Sequence, residues 1–143
     1  MIEGARGAAL RLEAEPTPSA IGLLWGRLLL RCENIPAGDC AFGLRYDARL
    51  YEACWALFAG YPMPAGLVET NIPVGWYAVK VHEGGYDRLE ETIKYLTERW
   101  LPHGGFRRRE GPVLERYVID PRKASESELQ TEVCLPVQPD PVL

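Results

Sequence analysis

Histidine is nearly absent from this 143-residue chain. His82 and His103 are the only two, and the four cysteines, Cys32, Cys40, Cys54 and Cys134, are scattered without a C-x-x-C pair. A structural zinc site needs four such ligands at short spacings, so no metal is expected. Dispersed among apolar neighbours, the thiols read as small buried hydrophobes in a reducing compartment rather than as a disulfide framework or nucleophiles. The chain also lacks a G-x-S-x-G elbow, a phosphate-cradling glycine loop and any histidine–carboxylate metal spacing, so no cofactor is expected. Long apolar runs are missing too: Ile21 to Leu30 is the longest and contains Arg27, well short of the roughly 20 residues of a membrane span. Met1 to Ala14 carries Glu3, Arg11 and Glu13 and lacks the basic-then-apolar order of a secretion signal. A cytoplasmic protein with no membrane partner is expected. Positive charge is not in excess, the formal net charge being −4, which is a poor electrostatic footprint for direct nucleic-acid binding. The run Arg107-Arg108-Arg109, between Gly104-Gly105 and Glu110, reads as a solvated turn.

What is present is 47% hydrophobic residues, enough for one continuous core and too little chain for two, so residues 1–143 read as a single domain. From Ser19, read as an N-cap, residues Ile21, Leu24, Trp25, Leu28 and Leu29 lay an apolar stripe along a first helix. Gly22 and Gly26 within it are read as room for another element to approach. After Pro36-Ala37-Gly38-Asp39, the stretches Cys40 to Asp47 and Tyr51 to Ala59 read as a strand hairpin. Leu67 to Ile72 follows, then Trp76 to His82, where Tyr77, Val79 and Val81 predict a strand buried on that side, with Lys80 and His82 on solvated surface. Tyr86, Leu89, Ile93, Leu96 and Trp100 keep helical spacing, with Asp87 and Glu90 as a capping box and Leu101-Pro102-His103-Gly104-Gly105 as the stop. Two last strands, Pro112 to Ile119 and Thr131 to Val137, flank a charged loop from Asp120 to Gln130.

The two halves repeat weakly. Arg45-Tyr46-Asp47 answers Arg116-Tyr117, and Glu52-Ala53-Cys54-Trp55 answers Glu132-Val133-Cys134-Leu135. The predicted fold class is therefore α+β: two strand-helix-strand-strand units, about 8–60 and 67–138, forming an antiparallel sheet with two helices and a central cleft.

In Val113-Leu114-Glu115-Arg116-Tyr117-Val118-Ile119, strand alternation puts Glu115 on one face with Val113, Tyr117 and Ile119. A carboxylate on an apolar face must protonate, find a partner or face a cavity. A cavity that receives a cation satisfies this condition, with Tyr46, Trp55, Tyr77, Tyr86, Trp100 and Tyr117 as candidate aromatic walls. The alternative is a solvated edge, or a pairing of Glu115 with Arg116 or Arg45.

Tyr77-Ala78-Val79-Lys80-Val81-His82-Glu83-Gly84-Gly85-Tyr86, Arg99-Trp100-Leu101-Pro102, Pro112 to Pro121 and Glu132 to Val137 resemble, in order and spacing, the second half of the GyrI-like family. That family is similar to the effector-binding domains of AraC-type, BmrR-type and Rob-type regulators of transcription. The resemblance implies a duplicated fold and a pocket between the halves with Glu115 on its floor and Trp100 in a W-L-P segment. It also implies multidrug binding of bulky hydrophobic cations in some relatives and hydrolysis of strained cyclopropane rings in others. The first half matches less well around Asp47-Ala48-Arg49-Leu50, and the residues before Ser19 are too few for a helix-turn-helix, so a stand-alone module is expected.

Three functions follow. The first is a binding protein for a hydrophobic, cationic small molecule, with Glu115, Tyr117, Trp100, Tyr77, Tyr86, Tyr46 and Trp55 as ligand-binding residues. The second is a hydrolase with Glu115 as acid or base. The third is an inhibitor-type interaction protein acting on a DNA-processing enzyme through its surface. A protein partner, and either a monomer or a homodimer, are compatible with all three.

Overall fold

Thr17, not Ser19, starts the first helix in the computed structural model of the chain. Its Oγ1 accepts from the Ala20 amide at 3.1 Å, and Pro18 follows at the first helical position, where its missing N–H is not needed. The structure describes residues 5–12, 15–32, 41–46, 50–57, 60–83, 89–117 and 130–140. The expectations for Pro36 to Cys40, Asp47 to Arg49, the end of the strand at Ala59, Gly84 to Asp87, Val118, Ile119 and the loop from Asp120 lie outside these residues.

The elements are β1 (Ala5–Arg11), α1 (Pro18–Arg31), β2 (Ala41–Arg45), β3 (Tyr51–Ala56), β4 (Val68–Ile72) and β5 (Trp76–Glu83), then α2 (Leu89–Tyr95), β6 (Phe106–Arg108), β7 (Val113–Tyr117) and β8 (Gln130–Pro139). All strand pairings are antiparallel, in the order β4-β1-β3-β2-β7-β8-β5, with β6 added alongside β8. Between the outer additions the order is symmetric, β1-β3-β2 against β7-β8-β5, and the β2·β7 ladder lies at its centre with Gly43 opposite Glu115. This is the expected α+β fold. The register corrects one detail of the repeat. Glu52 pairs with Leu44 and Glu132 pairs with Arg116, so Leu44 is the counterpart of Arg116, and Arg45 that of Tyr117. The sequence alignment of Arg45 with Arg116 was off by one, because Arg-Tyr dipeptides match more readily than strand geometry does.

One face of the sheet carries both helices. Ile21, Leu24, Trp25 and Leu28 of α1 pack on Ala8, Ala41, Tyr51, Ala53, Trp55 and Tyr117. On the second unit, Leu89 and Leu96 pack with Ala78, Val113, Val133, Leu135 and Val137. After α2 the chain takes a five-residue π turn, Leu96–Trp100, and a 3₁₀ turn, Leu101–His103. Pro102 has no N–H to continue the ladder, and the Trp100 ring settles over Gly104 and stacks on Phe106 at 5.9 Å.

The other face is buried at its centre without a helix. Ile72 and Trp76 belong to opposite edges of the sheet yet are separated by three residues. Four Cα steps reach about 14 Å at most, whereas seven flat strands would span about 29 Å. The sheet must therefore curl. Ala9, Phe42, Leu44, Cys54, Ile72, Leu114 and Cys134 close on themselves, with Tyr77 packed against them and its hydroxyl donating to the Pro73 carbonyl at 2.8 Å.

Three further readings are corrected. On β5 the covered side is that of Ala78, beneath α2, while Val79 and Val81 are 44% and 50% exposed. Alternation detects two unlike faces but not which of them a helix covers, and β5 is an edge strand. Arg107 to Arg109 do not form a solvated turn. Phe106–Arg108 adds a strand to β8, Arg108 reaches the carbonyls of Gly111 and Pro136, and Arg109 reaches those of Trp76 and Val137. Gly22 and Gly26 are exposed, and a methyl group at either would meet nothing within 4 Å, so they admit no neighbouring element. Gly22→Ala and Gly26→Ala are accordingly each expected to raise stability by about 0.5–1 kcal/mol, read from urea midpoints, because alanine narrows the unfolded ensemble at no steric cost. Among the described residues no helix is long and apolar enough to cross a membrane.

Candidate functional site

The helix-bearing face holds a cleft of about 540 Å³ between the segment leading into α1 and helix α2. Glu15 and Pro16 form one side, and Glu90, Ile93, Lys94, Thr97 and Glu98 the other. Arg45, Tyr46, Arg108, Val113 and Leu135 contribute from the sheet. Sequence patterning explains the arrangement: α2 and the π turn that continues it direct Leu89 and Leu96 to the sheet, which leaves the next stripe, Glu90, Lys94 and Glu98, facing the gap. The lining carries three acids and three bases, so the cleft is charged and aliphatic rather than ringed with aromatics.

Beneath the Arg45 guanidinium lies Glu115, 1% exposed. Its Oε2 accepts from Arg45 Nε at 2.8 Å and its Oε1 from the Tyr117 hydroxyl at 3.2 Å. The Trp25 indole donates to the Tyr51 hydroxyl at 2.8 Å, and the two tyrosine hydroxyls are 3.3 Å apart. One consistent chain of donors thus runs from Trp25 through Tyr51 and Tyr117 to the carboxylate. Arg45, with 15% of its side chain exposed, also has Glu90 at 3.8 Å and lies over the Tyr51 ring, 5.5 Å from its centroid. Of the alternatives left open by the sequence, Glu115 takes the buried position with Arg45 as its partner.

Gly43 is what makes room for this network. A Cβ there would stand 2.3 Å from the Tyr51 hydroxyl, so in the first unit the position matching Glu115 is vacant and is filled by a phenol from the neighbouring strand.

The electrostatics follow from burial. Desolvation works against the charge on Arg45, but the Glu115 carboxylate more than offsets it, and the guanidinium holds its proton more firmly than usual. Burial first, and Glu115 second, raise the Tyr51 phenol well above its ordinary range. Tyr46 donates to the buried Glu52 at 2.8 Å, and burial together with that bond pushes it up to about 12. Both phenols hold their protons more tightly folded than unfolded, so their contribution is fully present below pH 10 and is lost as pH rises. Stability is expected to fall between about pH 10 and 12. The decline should be shallower in Tyr46→Phe, followed by circular dichroism across an alkaline titration.

The residues singled out from the sequence separate into distinct places. Glu115 and Tyr117 join in the buried network, Tyr46 lines the cleft, and Trp55 packs in the core beneath α1. Trp100 borders a smaller hollow of about 240 Å³ with Ala78, Lys80 and Tyr95. Tyr77 lies on the opposite face of the sheet, with the Arg109 guanidinium 4.9 Å from its ring centroid. Lys80 is exposed beside Tyr95, His82 Nδ1 is 3.0 Å from the Thr92 hydroxyl, and His103 is exposed. Sequence reasoning missed Arg45 as a lining residue and Tyr51 altogether. The available signal was the hairpin, in which Arg45 and Tyr51 are cross-strand partners.

The sequence pattern described as GyrI-like small molecule binding domain matches residues 8–138. The chain is 31% identical over 72 residues to a probable transcriptional regulator, YgiV, of Escherichia coli K12, an alignment covering 50% of this chain and 45% of that one. It is 26% identical over 125 residues to the transcriptional regulator BrlR of Pseudomonas aeruginosa, covering 82% of this chain and 46% of that one. The chain thus spans about half the length of these relatives. Its fold superposes on the crystal structure of the EcmrR C-terminal domain with a TM-score of 0.78 at 20% identity, covering 97% of this chain and 94% of that one. With a paired-unit sheet, helices on one face, a cleft over the central ladder and a family match spanning nearly its whole length, the chain belongs to the GyrI-like small molecule binding domain family.

Proposed function

We propose that the cleft between the α1 approach and α2 holds an amphipathic, cationic small molecule, with Glu115 as its counter-charge. The observation that carries this reading is a fully buried carboxylate at the central ladder, separated from the cleft only by a guanidinium that lies over an aromatic ring. A carboxylate so placed is expensive to leave ionised without a cationic partner, and a ring beside it adds about 1–2 kcal/mol to a desolvated cation. Ile93, Val113 and Leu135 supply apolar surface for the rest of the molecule. The regulators among its relatives make ligand sensing for a transcription machinery the role that fits such a module. Catalysis by Glu115 has less support, because both of its oxygens are already engaged and a general base must be free to take a proton.

Titration with a lipophilic cationic dye tests the reading. Saturable binding with quenching of tryptophan fluorescence is expected, and Glu115→Gln should weaken it by about tenfold or more, the worth of a hydrogen-bonded charge. Equal binding by the wild type and Glu115→Gln would remove the counter-charge role.

A further inference from the structure

We propose that Arg45 is a built-in occupant of the ligand's cationic subsite, and that binding proceeds by ion-pair exchange: the guanidinium moves from Glu115 to Glu90 as the guest cation takes its place. The inference rests on the cleft reading above and adds to it a gate and a source of selectivity.

Four observations converge on this one side chain. Arg45 lines the cleft, whereas Glu115, its partner at 2.8 Å, has 1% of its side chain exposed. No guest can reach the carboxylate while the guanidinium stays. The guanidinium already sits where a guest cation would gain most, over the Tyr51 ring and against the carboxylate. Glu90, 80% exposed on the first turn of α2, is 3.8 Å from Arg45 Nη1 and offers the displaced charge a second partner at the solvent side. Finally, the Tyr117 hydroxyl donates to the other carboxylate oxygen at 3.2 Å, a bond that does not involve Arg45 and can anchor Glu115 while its cationic partner changes.

The exchange avoids the large cost of the site. Moving Arg45 away without a replacement would leave a buried charge unpaired, which is expensive, but swapping one cation for another keeps Glu115 neutralised. A neutral ligand offers no such replacement and leaves the gate shut. The internal guanidinium also competes with every guest, so the measured affinity is the intrinsic one reduced by the fraction of molecules in which the subsite is vacant.

The test uses the full chain with crystal violet as the cationic probe and its uncharged leuco form as control. Arg45→Met removes the competitor and is expected to bind crystal violet about tenfold more tightly or better, with a larger dye-induced rise in melting temperature than the wild type, and with no gain for the leuco form. Glu90→Gln removes the landing place on an exposed turn without touching the core. It is expected to bind crystal violet about threefold more weakly than Glu98→Gln, which deletes the same charge from the same wall away from Arg45. Should Arg45→Met fail to fold, the comparison of Glu90→Gln with Glu98→Gln decides alone. If crystal violet binds and Glu115→Gln abolishes it, yet the Glu90 and Glu98 variants lose equally, the exchange is overturned and the cleft reading stands. If the wild type does not bind crystal violet at all, both fall.

Discussion

Arg45→Met is expected to lower the free energy of unfolding by about 3–5 kcal/mol, the cost of leaving a buried carboxylate without its partner. The loss should be larger than that of Glu115→Gln, even though both substitutions break the same ion pair. The asymmetry lies in what each leaves behind. Without Arg45, the 1% exposed Glu115 retains, among the described residues, only the Tyr117 hydroxyl. Without the Glu115 charge, Arg45 still has Glu90 and access to the cleft. The double substitution Arg45→Met with Glu115→Leu should recover most of the loss, since an apolar pair of similar volume is often as stable as a buried ion pair. Urea unfolding of Arg45→Met, of Glu115→Leu and of the double variant gives the coupling energy directly. Additive losses would mean that the pair is not coupled in solution.

Gly43→Ala is expected to cost about 1–3 kcal/mol, although alanine in place of a strand glycine is normally favourable, because the added methyl enters the space of the Tyr51 hydroxyl. The injury should extend beyond sterics. Tyr51 receives the Trp25 indole and touches the Tyr117 hydroxyl, so displacing it disturbs the support of Glu115. Tyr51→Phe in the same chain removes the nearest of the clashing atoms, leaving ring carbons at 3.0 and 3.2 Å, and the double variant should be less destabilised than the sum of the two single changes. Melting temperatures of the four proteins check this. A Gly43→Ala protein as stable as the wild type would show that the sheet can shift to accept the methyl.

Much of the fold was legible in the sequence because its signals are local. The 3.6-residue spacing of Ile21, Leu24, Trp25 and Leu28 needs only the chain around it to become a helix face, and the strand alternation at Val113 to Tyr117 put Glu115 with Val113 and Tyr117 correctly. The repeat of Glu-x-Cys at residues 52–54 and 132–134 pointed to paired units because matching strands see matching neighbours. What failed was everything that depends on which surface covers which. Val79 and Val81 look like core from their spacing, yet α2 lies on the other side of β5. The arginine run at 107–109 looks like a solvated turn, yet the guanidiniums of Arg108 and Arg109 take up carbonyls at the sheet edge. Six aromatics were candidates for the wall, and those within the described residues occupy different faces and layers.

The candidate site divides in the same way. The sequence by itself determined that residue 115 would be an acid on an apolar strand face, since alternation along five residues is a property of the strand alone. It also determined that two similar units would build one sheet. Only the tertiary structure decided what neutralises that acid. Arg45 is 70 residues away in the chain, and its choice between Glu115, Glu90 and water follows from the register of β2 on β7 and from how close α2 is held. Distances across strands and between layers are set by packing, and packing is a property of the whole core that no segment carries in its own composition.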